Sequence, residues 1–344
     1  MRVMAAQALS LATALLEARG AEPSHARLQA EVLVEAELRG HPSHGLQRLP
    51  RLLARIDRGL IAPNATGSQT WAGSAFLAVD GEAGLGPVVA HAAIEQLVDR
   101  VEQTGIAIAG IRDANHLGML AVYVQSIACR GLIGIVLTSS EALVHPHGGD
   151  KAMMGTNPVA IGMPTSGEPY ILDMATSVVS MGKIHDYALK GEPISQGWAL
   201  GPDGAPTLDA QRAKSGSIAP FGGAKGYGLG LGFELLVAGI AGTPPAPEVR
   251  GTLDADHRAN KGDVIIIVKP GSAGVGAAVS GYLDMVRDSK SDGGTVTIPG
   301  DRSRQRRQHA ISEGFEVDPR VWEELAAAGS GIPASVRKSY HEYV

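Results

Sequence analysis

Apolar residues recur over the first forty positions at helical rather than strand spacing. Residues 4–38 are Ala-rich, with Leu9, Ala12, Leu15 and Leu16 as one apolar series, and a second helical stretch, Ala26–Leu38, follows Glu22-Pro23-Ser24. After Gly40-His41-Pro42, Ser43 is placed to cap another helix carrying His44 and Arg48. Leu49, Leu52, Leu53 and Ile56 would form its apolar face and Gly59 its end. His44 and Arg48, four apart, would then share a face. From residue 75 the period changes. Residues 75–80 read as a strand, 81–86 as a glycine turn, Val88–Gln103 as a helix and Gly105–Ile111 as an apolar strand. The helix Met119–Arg130, the strand Leu132–Leu137 and a loop holding His145 and His147 come next. Strands at Val159–Gly162 and Tyr170–Leu172, helices at Ser177–Lys190 and Tyr227–Ala241, a β-branched strand Asp263–Val268 and a helix Ala277–Arg287 complete the reading. This alternation predicts an α/β protein with a largely buried sheet. Thr243–Lys261, with three prolines and no period, reads as a surface excursion, and Gly294–Ile298 leads into Pro299-Gly300.

Composition narrows the class. The 344 residues are 44% hydrophobic, ample for a core, and 45 of them are glycine, nearly twice the usual ~7%. The glycines stand singly between apolar runs, which predicts tight turns and close backbone approaches. A net charge of -5 provides no basic field for nucleic acid. The lone Cys129 supplies neither a disulfide nor a thiolate cluster, which fits a reducing, cytoplasmic setting. No basic leader opens the chain and no stretch is long and apolar enough to span a bilayer, so neither export nor membrane is expected.

The dinucleotide fingerprint of a Rossmann fold is missing: Gly81-x-x-Gly84-x-Gly86 has the wrong spacing and reads as a strand-to-helix turn. Phosphate-loop, nucleophile-elbow and His-Glu-x-x-His patterns are absent as well. His145 and His147 lack a carboxylate cluster, so no metal is expected. His44 and His116 each stand at an element boundary beside small or polar residues, where an imidazole can trade protons near neutral pH. Arg48 could hold a substrate carboxylate with its planar fork. Taken singly, each also fits an ordinary structural histidine or a solvated helix arginine.

As a set, these residues resemble the type-2 malate/L-lactate dehydrogenase family. The strings are Ser43-His-Gly-Leu-Gln-Arg-Leu49, Asp80-Gly-Glu-Ala-Gly-Leu-Gly86, Asn115-His-Leu-Gly118, Gly155-Thr-Asn-Pro158, Leu172-Asp-Met-Ala-Thr-Ser177, Gly182-Lys-Ile184, Pro220-Phe-Gly-Gly-Ala-Lys-Gly-Tyr-Gly-Leu229 and Pro299-Gly-Asp-Arg302. They run in order over about residues 5–320. The resemblance implies a three-layer α/β fold with a mixed central sheet, a non-Rossmann NAD(P)-binding fold of the malate/L-sulfolactate dehydrogenase type, assembled as a homodimer. It also implies an N-terminal helical segment, 1–75, carrying part of the active site, a tail, 300–344, packing nearby, and an α/β cofactor-binding core, 76–299.

The implied reaction is hydride transfer between a nicotinamide, NAD with NADP as the alternative, and the C2 atom of a small 2-hydroxy or 2-oxo carboxylate. Malate, lactate, sulfolactate and ureidoglycolate are the class. Either His44 or His116 is the acid/base, Ser43 orients His44, and Arg48, Thr156, Ser140 and Lys183 contact substrate. Leu117, Gly118, Leu120, Asp173, Met174, Ala175, Thr176, Ala224, Lys225, Pro299, Gly300, Asp301 and Arg302 hold the cofactor. An arginine of the Arg302–Arg307 run reaching a 2′-phosphate would favour NADP, although a short basic run also suits a solvated helix face. Cyclic-imine reductases of the family tend to carry aspartate where Lys183 stands and another residue at Tyr227, which puts imine reduction second and an inactive nucleotide-binding member third. The family often has tyrosine at the position of Leu52 and asparagine at that of Ser139, so an altered, more apolar pocket is expected.

Overall fold

The structure is a computed structural model that describes residues 1–290, 294 and 296–329. Two helices, α1 (Ala5–Glu17) and α2 (Pro23–Leu38), open the chain, and α3 (Leu49–Asp57) follows a turn. The strands β1 (Ser68–Trp71), β2 (Phe76–Asp80), β3 (Ile106–Arg112), β4 (Ile133–Thr138), β5 (Val159–Met163), β6 (Tyr170–Met174) and β7 (Gly262–Val268) form one sheet, in the order β1-β2-β3-β7-β4-β5-β6. Only β2 and β3 pair in parallel. The β-branched run of β7 enters between β3 and β4, antiparallel to both, with Ile265 opposite Ala109 on one side and Val136 on the other. The sheet is therefore mixed, although the order of elements read like simple strand-helix-strand units.

Helices α4 (Gly86–Thr104) and α5 (Ala121–Cys129) cover one face, where Leu97, Ile111, Val124 and Ile265 are fully buried. Helix α6 (Met181–Lys190) and the one-turn α7 (Ala210–Ala213) belong to a small lobe around Val144, Ile184 and Ile218. The other face of the sheet is covered by α8 (Ala224–Ala241), with Val237 against Leu137, Val159 and Val264. Helices reach the sheet closely because two strand positions lack side chains: a Cβ on Gly110 would meet Ile240 O at 2.6 Å, and one on Gly162 would meet Val124 O at 2.3 Å. Helix α9 (Val275–Arg287) follows β7. Helices α10 (Asp301–Glu313) and α11 (Pro319–Ala328) return to α1–α3, where Ala310, Phe315 and Leu325 join Leu15, Leu33 and Leu49 in a second core. Residues 330–344 of the implied tail lie outside the described residues. No helix among those described is long and apolar enough to cross a membrane.

Two readings of the sequence need correction. Ser43 caps no helix: Pro42–His44 and Leu46–Arg48 form consecutive 3-10 turns, and the α-helix begins only at Leu49. Gly45, at φ -97° and ψ -143°, interrupts the helical path between them. The Thr243–Lys261 segment is no mere surface excursion either. Ala246, Val249, Thr252, Ala259 and Lys261 are buried, and Arg55 donates to the carbonyls of Asp254 and His257, both at 2.9 Å. Its prolines break periodicity without placing it in solvent.

Candidate active site

A cavity of about 360 Å³ opens where four parts of the chain meet. The 3-10 turns and the start of α3 bring Ser43, His44, Arg48 and Arg51, and the loop after β3 brings His116, Leu117 and Gly118. The ends of β4 and β5 bring Ser139, Ser140 and Thr156. The small lobe contributes Gly182, His185 and Lys214, and Thr252 and Leu253 close one side. A larger cavity of about 510 Å³, bounded mostly by apolar side chains of α1, α2, α4 and α5, is lined by neither His44 nor His116.

The turn carrying His44 and Arg48 is held from beneath. Glu37, at the end of α2, accepts the Leu46 N–H at 2.7 Å, and Gly45 lies so close over it that a Cβ there would stand 2.3 Å from Oε1. Burial pushes the Glu37 carboxyl up to about 7 from 4.5, against the lowering effect of that hydrogen bond. A pKa raised on folding favours the neutral acid. Its stabilising contribution is complete below pH 4.5 and is lost as pH rises through about 7. Glu37→Gln keeps an acceptor but cannot ionise. Urea unfolding at about pH 5 and about pH 8 should therefore show a smaller alkaline loss in the variant, by up to about 3 kcal/mol; parallel losses would remove Glu37 as the titrating brace.

The two imidazoles face each other with ring centroids 5.6 Å apart. His44 Nδ1 lies 3.1 Å from Ser43 Oγ, and His116 Nδ1 accepts the Gly118 N–H at 2.8 Å. Burial, then Arg48, then His41, push His44 down to about 3, and burial followed by Arg48 and His44 holds His116 well below 6.5. Both rings are therefore neutral at physiological pH. Asn115 anchors the His116 loop to the glycine turn by donating to the Ala83 and Gly84 carbonyls at 2.7 and 2.9 Å, while its Oδ1 accepts from Arg55. The turn is thus a strand-to-helix connection that positions an imidazole. Arg48 donates from Nε to Ser43 O at 2.9 Å, and burial, followed by Arg51, lowers its pKa to about 10.

Of the residues implied for the cofactor, Leu117 and Gly118 line the cavity with His116, and several others gather around the edge strand β6. Asp173 accepts the Ala121 N–H at 2.8 Å beside Leu120, and burial raises its pKa to about 6. The Thr176 N–H donates to Thr156 O at 2.9 Å and the Phe221 N–H to Thr176 O at 3.0 Å, which ties Met174, Ala175 and Thr176 to the approach of α8. Gly300, at φ +92°, lies against Ile171 and brings Pro299, Asp301 and Arg302 to the same edge. Asp301 is ion-paired with Arg287 and Arg304, whereas Arg302 is exposed.

This set fits a dinucleotide. Gly222 and Gly223 take positive φ just before the first turn of the 18-residue α8, where Ala224 and Lys225 are exposed. Free N–H groups, the helix dipole and an ammonium there suit a pyrophosphate. Lys183 stands apart: its ammonium lies 5.0 Å from the Trp198 ring and its neighbours Gly182 and His185, not it, line the cavity. Ser139 lines the cavity and bonds the Gly262 backbone, whereas Leu52 is buried in the N-terminal core. Sequence reasoning passed over Arg51, His185, Lys214, Thr252 and Leu253, which carry no local signal.

Residues 3–326 match the family model described as malate/L-lactate dehydrogenase. The chain belongs to the malate/L-lactate dehydrogenase family. It is similar to a malate/(S)-sulfolactate dehydrogenase of Methanothermus fervidus, 34% identical over 317 residues covering 92% of this chain and 94% of that one. It is also 32% identical to a Delta(1)-pyrroline-2-carboxylate reductase of Ancylobacter novellus, over 91% of this chain and 93% of the relative. Among solved structures, a dehydrogenase from Sinorhizobium meliloti superposes with a TM-score of 0.94 at 53% identity, covering 96% of this chain and 98% of that one. As a member of the malate/L-lactate dehydrogenase family, this chain is an oxidoreductase, and its three-layer mixed-sheet fold is the family's.

Proposed function

We propose that the protein interconverts a small 2-hydroxy acid and its 2-oxo acid with a nicotinamide cofactor, NAD in preference to NADP. The observation that carries this reading is the convergence of His44, His116 and Arg48 on one cavity, beside the β6 edge that fits a dinucleotide. Bound nicotinamide supplies the acceptor or donor for the hydride at substrate C2. Arg48 clamps the carboxylate, and Ser140 and Thr156, linked through the Thr156 N–H to Ser140 Oγ at 3.2 Å, line the same cavity.

Tautomers assign the two imidazoles. A backbone N–H can only donate, so the Gly118 bond obliges neutral His116 to carry its proton on Nε2, where it serves as a donor to the C2 oxygen. His44 leans instead on a hydroxyl that can donate or accept. Its Nε2 is thus able to hold or release a proton, and His44 takes the hydroxyl proton in oxidation and returns it in reduction.

Exposed Arg302 is available to a 2′-phosphate if the cofactor is NADP. A homodimer would cover the apolar face that α8 exposes at Leu229, Leu235 and Leu236. The deciding experiment follows reduced-nicotinamide absorbance with NADH or NADPH against oxaloacetate, pyruvate, sulfopyruvate, diketogulonate and piperideine-2-carboxylate. Reduction of an open-chain 2-oxo acid supports the reading. Activity on the cyclic imine alone replaces it with the ketimine reductase that the Ancylobacter relative makes the second reading, and silence with cofactor bound leaves an inactive nucleotide binder.

The clamp has its own test. Arg48→Lys keeps the charge but loses the planar fork, so the KM for the acid should rise about 10–100-fold with kcat less affected. Unchanged kinetics would remove Arg48 from the site.

A further inference from the structure

Among the described residues, the cavity that holds the imidazoles is lined by three cationic side chains and by no carboxylate. Arg48 and Arg51 come from the turn before α3 and its first residues, and Lys214 from the small lobe. A single substrate carboxylate at Arg48 leaves two of these charges unanswered. Arg51 is exposed and, among the described residues, makes no hydrogen bond or ion pair; Lys214 has only a 3.5 Å contact with Gln211. Their placement is costly. Arg51 stands in the first turn of α3, where the helix dipole disfavours a cation, and three residues from Arg48, where like charges repel. The nearby Glu141 offers little relief, because its Oε1 accepts the Thr252 and Leu253 N–H groups at 2.8 and 3.0 Å. Thr252, itself a lining residue and 5% exposed, leaves its buried hydroxyl oxygen without a hydrogen-bond partner. His185 lines the same cavity, and burial, then Lys214 and Arg51, disfavour its charged form.

Building on the hydroxy-acid reading, we infer that Arg51 and Lys214 form a second anion subsite. The preferred substrate then carries a second acidic group, a carboxylate or sulfonate, at the end remote from C2. A molecule of that kind spans the cavity from Arg48 to Lys214 and neutralises charges that otherwise repel. Lactate and pyruvate, with one anionic group, leave the subsite empty and bind less well.

The test separates binding from turnover. Succinate and butyrate have the same chain length and differ by one anionic group, so each is titrated calorimetrically into wild type, Arg51→Gln, Lys214→Met and the double variant. Succinate should bind at least about tenfold more tightly than butyrate, and each substitution should remove most of that advantage. In parallel, the ratio of kcat/KM for oxaloacetate to that for pyruvate should fall about tenfold in either variant, mainly through KM. Equal affinity for the two titrants in wild type, or a preference that survives the double substitution, overturns the inference. A succinate preference that depends on Arg51 and Lys214, in a protein that reduces no 2-oxo acid, upholds the subsite and overturns the hydride-transfer reading instead. Both side chains are exposed, so thermal melts matching wild type should accompany the variants.

Discussion

His44→Ala is expected to lower kcat about 10²–10⁴-fold for the hydroxy-acid reaction while the cofactor KM stays near its wild-type value. The loss would be that of the proposed proton carrier alone, because most of the residues proposed for the dinucleotide lie around β6 and the start of α8. His116→Ala should cost less and raise the KM for the acid, since it removes a fixed donor. His116→Asn, which restores an N–H, should regain part of the loss, whereas His44→Asn should regain none. The pH profile follows from the same electrostatics. With His44 pushed down to about 3, the ring stays unprotonated well below its ordinary 6.5, so kcat/KM for oxidation should not fall as pH drops through 6.5. Stability moves the other way: a histidine pKa depressed on folding contributes stability above 6.5 that is lost as pH falls toward 3. Full turnover in His44→Ala, with none in His116→Ala, would exchange the two roles.

What the sequence disclosed here followed from how local each signal was. The helices α4, α5 and α8 and the strands β3 and β7 announced themselves because their apolar period or β-branched run lies within the element. The place of β7 in the sheet did not, because a strand buried on both faces reads the same beside any neighbour. His44, Arg48 and His116 were legible through the strings around them, yet the turn carrying the first two was misread: Ser43 has the chemistry of a cap, and only the Glu37 carboxyl beneath Gly45 shows why the chain turns twice before α3. Arg51 and Lys214 lie 163 positions apart by number and come to line one cavity only through the fold. Lys261 was the furthest from sight. At the end of a proline-rich stretch it reads as a solvated lysine, but its side chain is 1% exposed.

Asp263→Ala should remove about 3–5 kcal/mol of stability, a drop in melting temperature of roughly 4–7 degrees. Lys261 and Asp263 are two apart at the start of β7, on the face that continues into Ile265 and Ile267, and both carboxylate oxygens receive the ammonium. The remaining contact of Nζ, Thr138 Oγ1 at 3.5 Å, is too long to satisfy a buried cation. Truncating the aspartate therefore strands a charge, whereas Lys261→Met with Asp263→Leu removes both and should restore most of the lost stability. The double substitution also reports on the site, because the Lys261 charge is one of those that hold His116 neutral. Without it the His116 imidazole should titrate at higher pH, readable by NMR of its ring proton, which would link the centre of the sheet to the donor proposed at C2. An Asp263→Ala protein that unfolds with wild-type urea dependence would show that the ammonium finds another partner, and an unshifted His116 in the double variant would break the link to the site.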